Sequence, residues 1–138
     1  MKLRSILAVV AGYVAWVVAF LLPIMLMTLV WTSLREAARI SMAQGRYDVF
    51  DTSMLVAFQL TWPIANGAAG LVTRLISQRQ IEVWCLATLL LAYFAYNHLW
   101  ALWDQMPVWY NLLVVVLVVP MVLIGSMAAQ LISGHRTT

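Results

Sequence analysis

Charged residues cut the chain into blocks. Ser5–Leu34, Thr52–Thr73, Val83–Trp103 and Gln105–His135 contain no Asp, Glu, Lys or Arg. These blocks run 30, 22, 21 and 31 residues, so 104 of 138 positions are free of charge and all thirteen formal charges fall in the other 34. A helix crosses the hydrocarbon core of a bilayer with roughly 20 apolar residues, and each block reaches that length. The pattern predicts an all-α integral-membrane four-helix bundle. Its spans fall at about 6–31, 54–76, 83–103 and 108–132, and 32–53 forms an outer loop. Four spans and their joins consume residues 1–138 as one transmembrane domain.

The loop has a pattern of its own. Ser33-Leu34-Arg35-Glu36 has the spacing of a capping box, and Gly45 is placed to end the helix that follows. Leu34, Ala37, Ala38 and Ser41 share a weakly apolar face. The expectation is a short helix at the outer membrane surface, or a continuation of the first span into water. Pro107 sits where a first-turn proline is tolerated, because its missing N–H has no helical partner there. Trp31, Trp84, Trp103, Trp109 and Tyr110 fall at span ends, where amphipathic rings form interfacial belts.

Composition agrees: 64% of residues are apolar, 9% are charged and the mean hydropathy is +0.92. The net charge of +3 comes without any basic cluster interleaved with aromatics, so nucleic acid is not an expected partner. The charges report topology instead. With the N-terminus in the cytoplasm, the inner segments hold Lys2, Arg4, Arg74, Arg79 and Arg136 against Glu82. The outer segments hold Arg35, Arg39 and Arg46 against Glu36, Asp48, Asp51 and Asp104. The positive-inside rule therefore favours cytoplasmic N- and C-termini. Lys2 and Arg4 read as anchors of an uncleaved first span, because the apolar run exceeds a secretory h-region. The single cysteine, Cys85, excludes an internal disulfide and a thiolate metal site.

Small residues recur at every fourth position: Ala11, Ala15, Ala19; Ala65, Ala69, Thr73, Ser77; Gly125, Ala129, Ser133. Gly67 and Gly70 add to the second span. Lipid supplies little hydrophobic drive between helices, so close backbone approach at such positions marks packing faces. These faces can meet within one chain or between copies.

Interior polar residues are few. Gln59, Thr61 and Asn66 lie on the second span, Asn97 and His98 on the third. Gln59 and His98 are each five residues below their outer span ends, so they sit at matched depths of roughly 7–8 Å. Pro63 removes the helical partner of the Gln59 carbonyl. Gln59, Thr61, Asn97 and His98, open towards Asp104, form a candidate outer-leaflet polar pocket; the alternative is hydrogen bonding that only fixes helix register. Tyr93, Tyr96, Trp100 and Trp103 form an aromatic stripe that faces lipid, packs on a neighbour or holds an apolar tail. No catalytic signature, metal-ligand spacing or cofactor motif occurs, and no charge lies at mid-membrane, so neither metal nor cofactor is expected. A second membrane histidine for haem is also missing, because His135 falls in the C-terminal tail.

Ala11-Gly12-Tyr13, Asn66-Gly-Ala-Ala-Gly70 followed by Arg74, Pro107-Val-Trp-Tyr110, and Gly125 together give a pattern that resembles small four-span bacterial inner-membrane proteins. The resemblance implies the four-span topology and carries no activity. Asn97, His98 and the charged loop stand outside it. The leading expectation is a non-enzymatic accessory subunit or self-assembling bundle, with the lipid bilayer and itself or another membrane protein as partners. A solute- or lipid-handling module built on the outer pocket is the alternative, and an enzyme would need a partner to supply the missing groups.

Overall fold

A computed structural model describes residues 3–134. Lys2, His135 and Arg136, which entered the topology argument, lie outside the described residues. The helices are α1 (Leu3–Val30), α2 (Thr32–Gln44), α3 (Thr52–Ser77), α4 (Gln80–Tyr96, extended by a π-helical turn at Asn97–Ala101) and α5 (Val108–Gly134). Four are long and apolar enough to cross a membrane: α1, α3, α4 with its π turn, and α5. The protein is an all-helical integral membrane bundle.

The chain enters α1 at what is here termed the terminal side and leaves it at the loop side, where α2 lies. α3 and α5 run back and α4 runs forward. Each span carries its apolar surface mostly outward: only 22% of the most apolar window of α1 is buried inside the protein. Ile6, Val10, Val14, Val18 and Leu21 are among the exposed α1 residues. In water this surface would be an aggregation hazard, whereas in a bilayer it is the lipid-facing girdle. Pro23, Pro63 and Pro120 lie inside helices that continue past them. Membrane helices tolerate this because neighbouring groups can satisfy the freed backbone.

Backbone contact at glycine sets the packing. A Cβ on Gly125 would run into the Gly67 carbonyl, and one on Gly70 would run into the Val122 carbonyl. A Cβ on Gly12 would strike the Thr73 hydroxyl, with the Ala69 carbonyl 3.0 Å away. One face of α3 thus meets α5 and another meets α1. Ala65 and Ala69 are fully buried and Ala129 nearly so. Ala11, Ala15 and Ala19 are only half-buried; the closest approach of α1 to α3 falls one residue over, at Gly12. The small-residue faces of α3 and α5 therefore close within the chain.

Between α1 and α2 the helix breaks at one residue, Trp31, whose backbone is extended (φ −107°, ψ 95°). This corrects the capping-box expectation. Trp31 is the N-cap and has no side-chain cap bond, Ser33 lies inside the helix, and Glu36 turns to Arg39 in a two-pronged ion pair. The remainder of the expected loop pattern is present. Leu34, Ala37 and Ser41 are buried, and Gly45 closes α2 in the left-handed region (φ 65°) with its N–H on the Ser41 carbonyl. Asp51 caps α3 by accepting from the Met54 N–H at 2.9 Å. The Tyr47 N–H donates to Gln105 Oε1 at 3.1 Å, tying the α2–α3 connection to the α4–α5 turn.

Candidate functional site

The polar and aromatic groups inside the loop-side half converge on His98. Val83, Ala87, Leu90, Phe94 and His98 are all buried, so α4 keeps one inward face down to its π turn. Phe94 stacks near the imidazole at 6.0 Å between ring centroids, and Trp62 meets it edge-on at 6.4 Å. Trp62 in turn stacks on Phe20 at 3.9 Å and on Trp16 at 6.0 Å, so rings from α1, α3, α4 and α5 form one cluster.

Two hydrogen bonds bind this cluster. Trp62 Nε1 donates to the Tyr110 hydroxyl at 2.9 Å, and His98 Nδ1 lies 3.0 Å from Asn111 Oδ1. Asn111 is fully buried, and its Nδ2 donates to the Met106 carbonyl at 3.3 Å and the Trp103 carbonyl at 3.5 Å. Those two carbonyls fix the amide with its oxygen towards the ring. His98 in its neutral form then carries its proton on Nδ1, leaving Nε2 as an acceptor. A π turn adds a residue to the helical turn and often marks a functional position. Here it lies where α4 carries His98 against the start of α5.

The other residues expected at the site make no hydrogen bond to His98 or to one another. The Thr61 hydroxyl donates to the Phe58 carbonyl at 2.8 Å on its own helix, and Asn97 Nδ2 donates to the Tyr93 carbonyl at 2.8 Å on its own. Asp104 is exposed in the turn before α5. Gln59 is half-buried, and both atoms of its amide are buried without a hydrogen-bond partner. The structure thus joins His98 to Asn111, Tyr110 and Trp62 rather than to Gln59, Thr61, Asn97 and Asp104. Tyr110, a belt residue by its position in sequence, is 1% exposed and belongs to the core. Of the aromatic stripe, Tyr96, Trp100 and Trp103 are exposed, and Tyr93, also exposed, meets Trp16 edge-on at 6.1 Å between ring centroids.

Further unpartnered polar atoms lie deeper. Asn66 is 1% exposed and neither amide atom has a partner; Trp16 Nε1 and the Ser126 hydroxyl are also buried and unpartnered. At the terminal side the buried Glu82 accepts from the Ser5 hydroxyl at 2.7 Å and lies 3.7 Å from Arg79, while its second oxygen is unpartnered. Among the described residues no group of three or more His, Cys, Asp or Glu side chains is placed to share a metal ion.

Outside the spans the ion pairs are local. Arg39 holds the Glu36 carboxyl below its ordinary pKa, and Arg46 does the same for Asp48. The Ser53 hydroxyl, with the Met54 N–H, lowers that of Asp51. The chain matches no protein-family model, and neither a curated protein nor a solved structure matches it.

Proposed function

We propose that this chain is a non-enzymatic accessory subunit of a bacterial inner membrane, with both termini in the cytoplasm, that presents the α2 face to a membrane-protein partner or a second copy. The observation that carries the reading is the way α2 is held. Its inner face is anchored by Leu34, Ala37 and Ser41, while Arg35, Glu36, Arg39 and Met42 are all exposed. A helix fixed on one side and bare on the other is a pre-organised docking element, because little order remains to be gained on binding. The charge distribution supports the orientation. In the sequence Lys2, Arg4, Arg74, Arg79 and Arg136 fall on the side assigned to the cytoplasm, against Arg35, Arg39 and Arg46 on the loop side.

Photocrosslinking from positions 35 and 39 in intact membranes tests this reading. One discrete adduct of fixed stoichiometry is expected, and Ala37→Glu, which undocks α2, should abolish it. A monomeric particle in mild detergent, with no adduct in membranes, overturns it.

A second reading is a loop-side site for a small solute or lipid. It is favoured by the unpartnered amide of Gln59 and the free Nε2 of His98, with Thr61, Asn97 and Asp104 nearby in sequence. Gln59→Leu and His98→Leu should then abolish ligand retention while leaving the fold intact. Unfolding of both variants would assign these residues to packing.

A further inference from the structure

α3 and α5 run in the same direction and both end at the terminal side, where a cleft of about 330 Å³ lies between their last turns. Arg74 and Gln78, from the end of α3 and its cap, line one wall; Ala129, Gln130 and Ser133 of α5 line the other. Ligand sites commonly span about 300–1,000 Å³, so the cleft suits a small group. Arg74 lies in the last turn of α3, three residues before its end at Ser77. That is roughly 4–5 Å of helix, which sets the cleft close to the membrane surface.

The charge of Arg74 is unanswered. The residue is half-buried, yet its guanidinium makes no hydrogen bond or ion pair among the described residues. Arg39, Arg46 and Arg79 each face a carboxylate, and Arg4 holds the Ile76 carbonyl. No carboxylate lines the cleft. Glu82, the acid at this end, accepts from Ser5 and lies 3.7 Å from Arg79. The Ser133 hydroxyl is already bonded to the Ala129 carbonyl at 2.9 Å. The free donors of the cleft are therefore the Arg74 guanidinium and the amides of Gln78 and Gln130, both exposed. Gln78 bears a second mark. With φ 58° it is, among the described residues, the one non-glycine in the left-handed region. Glycine closes a helix in that conformation without steric cost, so a glutamine there strains the backbone while setting an amide at the cleft.

We propose that this cleft binds a phosphate group, carried by a lipid headgroup or free in solution, with Arg74 as its cation and Gln78 and Gln130 as amide donors. A guanidinium presents paired N–H groups that match two phosphate oxygens. A cation would be repelled by Arg74, and a neutral solute would leave the guanidinium uncompensated. The carbonyl ends of α3 and α5 oppose an anion, so binding depends on Arg74. Arg74 also offsets the dipole of α3 simply by its position, but that role requires neither the cleft nor the two amides. The site lies at the opposite end of the bundle from α2 and stands apart from the docking reading.

The test uses the full chain in mild neutral detergent at fixed ionic strength. One arm titrates inorganic phosphate against chloride and reads the thermal midpoint, which rises with saturation when a ligand binds the folded state. The other offers phosphatidylglycerol and diacylglycerol in equal amounts and reads retention by native mass spectrometry. A saturable response to inorganic phosphate identifies a free phosphate as ligand. Selective retention of one phosphatidylglycerol per chain, without that response, identifies a lipid headgroup. Either result supports the site if Arg74→Gln weakens it by about tenfold or more. Arg74→Lys keeps the charge at the helix end but loses the fork, so it should fold like wild type and bind less tightly. Gln78→Gly should raise the midpoint of the ligand-free protein while lowering affinity roughly two- to tenfold, a split that a purely structural residue would not give. If Arg74→Gln fails to fold, these last two variants decide. No response in either arm, a response that Arg74→Gln retains, or unchanged affinity in both Arg74→Lys and Gln78→Gly would overturn the proposal.

Discussion

Trp62 on α3 and Tyr110 on α5 are joined by a hydrogen bond of 2.9 Å between two side chains that are 9% and 1% exposed. The indole N–H has no other partner, so removing the hydroxyl leaves a buried donor unsatisfied. Tyr110→Phe should therefore destabilise the bundle by about 1–2 kcal/mol in a detergent-denaturant titration. Trp62→Phe removes the donor but also ring area from the stack with Phe20, and should cost more. The double variant should recover a coupling of roughly 0.6–2 kcal/mol. Strict additivity would mean that the bond contributes nothing to stability.

Two glycines that face each other should respond in opposite ways. A methyl on Gly125 would overlap the Gly67 backbone, which can yield only if the helices separate. Gly125→Ala should destabilise by about 1–3 kcal/mol. A methyl on Gly67 meets only the Met121 carbonyl, at 3.8 Å, an ordinary contact. Gly67→Ala should be neutral or stabilising by up to about 1 kcal/mol, because alanine is the better helix former. Equal losses at both positions, read from the same unfolding titration, would contradict this asymmetry.

The spans were readable from sequence because a charge inside hydrocarbon is so unfavourable that charge-free blocks outline the helices by themselves. The apolar face of α2 and its glycine stop were readable because both are local. Contacts between helices were not. Matching depths on α3 and α4 paired Gln59 with His98, but the imidazole bonds to Asn111 on α5, and the π turn at Asn97–Ala101 interrupts the regular helical register that such matching assumes. Asn111, one turn after Pro107, gave a signal in hindsight: an amide in the first turn of an otherwise apolar span needs a partner once that turn is buried. The packing row of α1 was placed one residue away from Gly12, because alanine spacing shows a row of small residues but not which row lacks the last methyl group.

The N-terminus of α3 should carry a pH signature. Asp51 accepts from the Met54 N–H and the Ser53 hydroxyl, and these bonds hold its carboxyl below the ordinary aspartate value. A group whose folded pKa is depressed stabilises the fold above its unfolded pKa and loses that contribution as pH falls through the folded value. The cap is thus complete at neutral pH and lost under acid conditions. Asp51→Asn keeps an oxygen acceptor for the helix but cannot titrate. The difference in thermal midpoint between wild type and Asp51→Asn should be constant from pH 8 down through pH 6 and should shrink below roughly pH 4. A constant difference across the whole range would remove Asp51 from the acid response.

Asn66 presents the opposite case, a polar group that the fold leaves unrewarded. It lies three residues before Ala69 and four before Gly70, between the strip of α3 that meets α1 and the strip that meets α5. It is 1% exposed, and its amide has no hydrogen-bond partner among the described residues. Leucine has nearly the same shape without the groups that must be desolvated. Asn66→Leu should therefore stabilise the bundle by roughly 1–2 kcal/mol in the same titration. Asn66→Ala should gain less, because the void it leaves offsets part of the relief. A loss of stability in Asn66→Leu would show that the amide is bonded in the membrane, which would make Asn66 a polar contact of the working protein rather than a buried group without a partner.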